Sequence, residues 1–335
     1  MLVIKNKENN IKYVNFGIEI LRMVLCFWVL SFHSLEKDKI NYPCFYISKT
    51  KFYHVPCFSF ISFYFSYNIF SERNIIKFKR RIERLLIPYI IWPLIIVFIN
   101  IIFQNKNTIS LYHLKIQFIC GRQFMVPLWY LFSMIILTIT FFIISNIFQI
   151  HFLLVFQLLG IISYISQYSG YYNLLNEYKN NVKKPILDTL SILPLASIGL
   201  FFSSTKLIKF FQANKKTSMF FSYLFIYFLF KYDIFIDLGG YEGIINMFSS
   251  LFFFIGFYLL PLENTYSFLK IIIKQITSYT NGIYCLQSKI IPFIKTKFHL
   301  YGTIKSCFII YSFSYFFSFV GIKIFGKTKL KYLFI

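Results

Sequence analysis

The chain has 335 residues, 57% hydrophobic and 22% aromatic, against roughly 45–50% apolar in soluble domains. Only 14% of residues are charged, yet the formal net charge is +23. The basic residues sit between apolar runs rather than across one soluble face, so nucleic acid is not an expected partner; the pattern is that of a polytopic membrane protein whose lysines and arginines meet lipid headgroups.

The six cysteines, Cys26, Cys44, Cys57, Cys120, Cys285 and Cys307, form no CxxC pair, which removes the usual spacing for a zinc site. No metal is expected. Cys44 and Cys57 fall near one loop, where a disulfide is open but not required. The others read as small apolar residues within helices.

Along the chain, Lys5, Lys7 and Lys12 precede an apolar run that is too long and too charged for a signal peptide, with no small-residue cleavage site after Ser31. It is expected to be a retained first span. About ten apolar segments follow one another, near 14–34, 55–71, 85–104, 125–147, 150–167, 186–205, 218–236, 244–262, 270–292 and 302–324. Pro88, Pro93, Pro194 and Pro292 interrupt or end four of them, as packed membrane helices tolerate. The expected fold is all-α: a polytopic transmembrane bundle of about ten spans, one domain over residues 1–335, multi-pass in a plasma membrane or an endomembrane. Basic loops set its orientation. Lys5 to Lys12, the run Arg73 to Arg84, Lys206 to Lys216, Lys270 and Lys274, and Lys323 to Lys331 fall on one side, which places both termini in the cytosol. The bias is modest, because two opposite loops are also basic.

The first span carries residues that are costly in a bilayer. Glu19, Arg22 and His33 lie in it, and a charge at mid-bilayer costs about 2.5–3.5 kcal/mol on insertion scales. Glu19 and Arg22 are one turn apart and able to pair. Arg22 and His33 fall on nearly one stripe, about 16 Å apart along the axis. Imidazole titrates near neutrality and is the usual general base. Two readings stand at this point: a structural ion pair with a snorkelling histidine, or one helix joining a charged site to a base.

Other stretches carry similar pairs of readings. Arg73, Lys77, Lys79, Arg80, Arg81 and Arg84 lead into the third span; they suit a headgroup-binding patch, while Arg81 and Arg84, one turn apart, also suit bidentate phosphate binding. Trp129 and Tyr130 open the fourth span as an interfacial belt would. Thr277 to Gln287 forms a polar stripe in the ninth, suited to interhelical hydrogen bonding.

Asn15 to His33, with an acidic residue, an arginine three on and a histidine eleven beyond, resembles the opening of the membrane-bound acyltransferase-3 family, multispan O-acyltransferases of surface glycans. Pro56 to Tyr64 resembles its phenylalanine-rich second span, Arg81 to Tyr89 its basic lead-in to span three, Leu128 to Leu131 its Leu-Trp-Phe-Leu element, and Gly282 to Leu286 its Gly-Ile-Tyr-Leu element. The resemblance implies transfer of an acyl group, usually acetyl, from cytosolic acyl-CoA to a hydroxyl of a saccharide or lipid-linked glycan. It implies no tightly bound cofactor, with acetyl-CoA as co-substrate. On this likeness His33 manages the acceptor proton, Glu19 orients Arg22, and Arg22, Arg81 and Arg84 hold the donor. Two positions depart from the family pattern: Phe63 replaces a usual glycine, and Gln287 stands where many members carry histidine. Rival readings are a transporter or flippase using Glu19 and Arg22 as pathway charges, and a non-catalytic member of the same fold.

Overall fold

The computed structural model describes residues 2–4, 12–34, 54–104, 128–168, 183–205, 207–231, 244–262, 266–298 and 304–334. A short antiparallel hairpin, β1 (Leu2–Ile4) and β2 (Lys12–Val14), pairs Leu2 with Val14 and precedes the helices. Thirteen α-helices follow among the described residues: α1 (Phe16–Ser34), α2 (His54–Tyr64), α3 (Tyr67–Ser71), α4 (Ile75–Gln104), α5 (Leu128–Phe148), α6 (Phe152–Tyr168), α7 (Lys183–Ser204), α8 (Leu207–Ala213), α9 (Lys215–Lys231), α10 (Ile244–Tyr258), α11 (Ser267–Thr277), α12 (Thr280–Phe298) and α13 (Ile304–Phe325). A 3-10 turn, Lys329–Leu333, closes the described chain. Among the described residues four stretches are long and apolar enough to cross a membrane: Phe16–Ser34, Leu128–Gln167, Ile186–Ser204 and Lys305–Phe325. Large apolar side chains stay exposed along α5 and α6, among them Ile143, Ile147, Leu154 and Ile161. Such a surface suits acyl chains rather than water.

Within the described residues each apolar segment of the sequence coincides mainly with helix, but not always with a single one. The second divides into α2 and α3 at Phe65 and Ser66. Ser66 Oγ donates to the Ser62 carbonyl at 2.6 Å and the Ser66 N–H to the Phe63 carbonyl at 3.0 Å, a tight turn in place of helix. The ninth divides into α11 and α12 at Ser278 and Tyr279. There Thr277, Ser278 and Thr280 turn their hydroxyls back onto the carbonyls of Lys274, Gln275 and Thr277. Side-chain hydroxyls compete in this way with helical bonding. The third segment extends instead: α4 begins at Ile75 and takes in the basic residues from Lys77 to Arg84, with Pro88 and Pro93 inside it.

Helix α1 is pinned at its start. Asn15 Oδ1 accepts the Ile18 N–H at 3.1 Å, satisfying one orphan donor of the first turn. Its Nδ2 donates to the Tyr258 carbonyl at the end of α10, 3.0 Å away. Gly17 makes this approach feasible, since a methyl group there would collide with the Phe257 carbonyl. From this anchor α1 runs through the protein against α10, α11, α12 and α13. Leu21 and Leu25 pack with Phe60 of α2 and Phe254 of α10, while Cys26 and Leu30 face Ile283 and Ile294 of α12 and Ile310 of α13.

Helices α5 and α6 form a hairpin about Gln149, which takes a positive φ of 41°. Phe141 and Phe156 stack across it with ring centroids 4.1 Å apart. Helix α7 fills the space between α2, α5 and α6. Cys57 is buried and carries no disulfide; its thiol donates to the Ser250 carbonyl at 3.8 Å. Cys44, the alternative partner, lies outside the described residues.

Candidate active site

The charged residues of α1 meet at its first turns. Arg22 Nη1 donates to Glu19 Oε2 at 3.2 Å and to Oε1 at 3.4 Å, while Nη2 donates to Thr280 Oγ1 at 3.0 Å. Thr280 begins α12, so the break in the ninth segment brings a hydroxyl to the guanidinium. About a third of the Arg22 side chain stays accessible. It is thus oriented by two partners yet able to meet a ligand. Cys26, one turn on, points its thiol at the Thr280 carbonyl, 3.8 Å away.

His33 lies at the opposite end of α1 and is exposed. The Phe32 ring stands between two imidazoles, 5.2 Å from the His33 centroid and 6.2 Å from that of His54. His54 starts α2 and is 2% exposed. The far end of the first helix therefore presents a pair of histidines, one buried and one open. His54 was legible only as a polar residue at the edge of an apolar run.

Arg81 and Arg84 take different positions. Arg81 is drawn into the protein and reaches α2, the α2–α3 turn and α5. Its Nε donates to Thr138 Oγ1 of α5 at 3.0 Å and Nη2 to Ser62 Oγ at 3.0 Å, while Nη1 donates to Ser66 Oγ and to the Ser62 carbonyl. The guanidinium carbon lies 4.9 Å from the Phe63 ring centroid. Phe63 is fully buried against Phe70 and Phe141. The Phe63 ring thus fills an aromatic cage and forms one wall of the Arg81 site. Arg84 faces the Tyr332 ring at 5.8 Å, and Lys331 approaches the same ring at 5.6 Å. The C-terminal turn thereby adds a lysine to the basic lead-in of α4. Beside it, Lys329 Nζ lies 2.8 Å from Glu83 Oε1. That contact holds the Glu83 carboxyl below the usual carboxylate range and Lys329 above its ordinary value.

The side chain that relates these arginines is Tyr130. An interfacial belt was expected at Trp129 and Tyr130; instead Trp129 is buried in the α2–α5–α7 core and Tyr130 points inward. Its hydroxyl lies within electrostatic reach of Arg81 and of Arg22. Its ring meets Tyr284 of α12, centroids 6.0 Å apart. Tyr130 therefore lies in the field of both Arg22 and Arg81, and Arg81 in that of Arg84. His33 stands apart from these residues, at the other end of α1. No group of three or more metal-ligating side chains occurs among the described residues.

No curated protein and no solved structure matches the chain at significance. A family model described as an acyltransferase domain, that of the acyltransferase-3 family, matches residues 15–325, beginning at the Asn15 that anchors α1 and ending with α13. With its apolar helices and this near-complete match, the chain belongs to the acyltransferase-3 family of integral-membrane proteins, whose chemistry is acyl transfer.

Proposed function

We propose that the protein moves an acyl group, acetyl in the simplest case, from acyl-CoA presented on the cytosolic side to a hydroxyl of a saccharide or lipid-linked glycan. About ten spans cross the membrane in this reading, and both termini are cytosolic. The observation that carries it is the arrangement of α1: an oriented, accessible arginine at one end and an exposed imidazole at the other, about 16 Å along the same helix.

The roles follow from position. Arg22, held by Glu19 and Thr280, meets the donor's phosphates with its accessible face. Arg84 extends that site along α4, with Lys331 beside it. Arg81 has most of its donors committed to Ser62, Ser66 and Thr138, so it acts on the donor through its charge and by shaping the wall. His33 accepts the proton of the acceptor hydroxyl. The alkoxide oxygen attacks the thioester carbonyl, the new C–O bond forms as the C–S bond breaks, and the CoA thiolate leaves. The proton held by His33 returns to solvent or to the thiolate.

The test compares membranes carrying the wild type and His33→Gln, given radiolabelled acetyl-CoA and a glycan extract. Loss of a general base is expected to lower acyl incorporation at least ~100-fold. Equal incorporation by both proteins removes His33 from the mechanism. Donor-dependent transport of an intact solute, without acyl incorporation, replaces the enzyme by a transporter.

A further inference from the structure

The seam between α1, α12 and α13 holds polar side chains that the proposed chemistry does not use. Gln287 of α12 is 1% exposed, and both its Nε2 and its Oε1 lack a hydrogen-bond partner. Ser31 Oγ of α1, with Tyr311 OH and Ser314 Oγ of α13, is likewise buried without a partner. Packing places all four on neighbouring turns of the seam. Ser34 Oγ meets Cys307 Sγ at 3.0 Å, and Phe27 meets the Tyr311 ring at 5.7 Å, so α1 and α13 run antiparallel with Ser31 between those contacts. At the other end Gly282 lies against Ser318. Counting 1.5 Å per residue from these contacts puts Ser314, Gln287, Tyr311 and Ser31 within about 6–10 Å along the helix axis.

Leaving a primary amide unpaired among Leu30, Ile283, Ile290 and Ile310 is unfavourable unless a ligand supplies partners. Gln287 offers N–H donors and a carbonyl acceptor side by side. The complementary group is a neutral secondary amide, which presents one carbonyl and one N–H. A purely apolar chain leaves Gln287 unpaired, and a charged group meets the apolar wall. Gln287 lies about 10 Å along α12 from Thr280, the partner of Arg22. The order along the seam is thus arginine, amide, histidine. In a coenzyme A thioester the order is phosphates, amides, thioester.

Resting on the acyl-CoA reading above, we infer that Gln287, with Ser31, Tyr311 and Ser314, forms a buried subsite for the amide groups of the donor's pantetheine arm. The subsite sets how far the thioester reaches toward His33.

The experiment uses the full chain in lipid nanodiscs, with D-pantetheine, which has the amides and no phosphates, as the binding probe. Gln287→Met keeps the volume and removes the amide. It is expected to weaken pantetheine binding at least ~10-fold and to raise the KM for acetyl-CoA by a similar factor, with kcat less affected. Ser314→Ala and Tyr311→Phe, each removing one hydroxyl, are expected to weaken binding about 3-fold and serve if Gln287→Met fails to fold. Equal pantetheine affinity in the wild type and all folded variants, or no binding by the wild type, overturns the subsite and leaves a seam filled by water. Acetyl transfer with an unchanged KM in Gln287→Met overturns the subsite while the enzyme reading stands. Pantetheine binding that depends on Gln287, without any acyl transfer, upholds the subsite and removes the enzyme reading.

Discussion

Replacing Arg81 by methionine separates two roles for one guanidinium. The structure gives Arg81 four hydrogen bonds, to Ser62 Oγ, the Ser62 carbonyl, Ser66 Oγ and Thr138 Oγ1, and a ring contact with Phe63. Interhelical hydrogen bonds in membrane proteins average about 0.6 kcal/mol with a maximum near 1.7, and bonds from a charged donor belong to the stronger ones. The cation–π contact adds about 0.5–1 kcal/mol. Arg81→Met is therefore expected to cost about 3–5 kcal/mol, because it also leaves three hydroxyls of the α2–α3 turn and α5 without their shared donor. Denaturant unfolding in mixed micelles measures this directly, and Arg81→Lys, which keeps the charge but not the fork, is expected to recover less than half of it. An Arg81→Met protein of unchanged stability, with a raised KM for acetyl-CoA, refutes the clamp and makes Arg81 a ligand-binding arginine alone.

Other positions give independent checks. Tyr130→Phe removes the hydroxyl within electrostatic reach of Arg22 and Arg81; kcat for acyl transfer is expected to fall about 10-fold with a stability change near 1 kcal/mol, and an unchanged kcat removes Tyr130 from the site. Gly17→Ala places a methyl against the Phe257 carbonyl; separating α1 from α10 is expected to cost about 1–3 kcal/mol, read as a lower unfolding midpoint. Gln149→Gly relieves a positive φ of 41° and is expected to stabilise the α5–α6 hairpin by about 1 kcal/mol. The Glu83–Lys329 contact has a definite pH sign. Because Glu83 is depressed, its contribution to docking of the C-terminal turn is present above the ordinary carboxylate pKa and is lost as pH falls through the lowered value. Proteolytic cleavage near Lys329 is expected to quicken below about pH 4, and a rate that stays flat down to about pH 2 refutes the coupling.

Helical architecture, membrane placement and the charged first helix are properties of local composition, and they could be read in order along the chain. Runs of apolar residues need a helix in lipid because only helical bonding satisfies the backbone there. The Glu19–Arg22 pair was legible for the same reason, since an i,i+3 spacing brings two side chains together in any helix. The family likeness followed from motif order, and residues 15–325 match the family. Partners distant in sequence were not legible. Thr280 stands 258 positions from Arg22, and the two meet only because Thr277, Ser278 and Thr280 break a segment that hydropathy alone makes continuous. Arg81 read as a headgroup or phosphate residue; burial against Ser62, Ser66 and Thr138 depends on how α2, α4 and α5 pack. Tyr130 read as a belt residue because aromatic composition carries no depth. Sequence determined which stretches are helical and which charges they carry, since both depend on neighbours within a turn or two. Tertiary structure alone decided which charge meets which hydroxyl, and that Gln287 is left buried with both amide atoms open, because long-range pairing depends on the packing of whole helices.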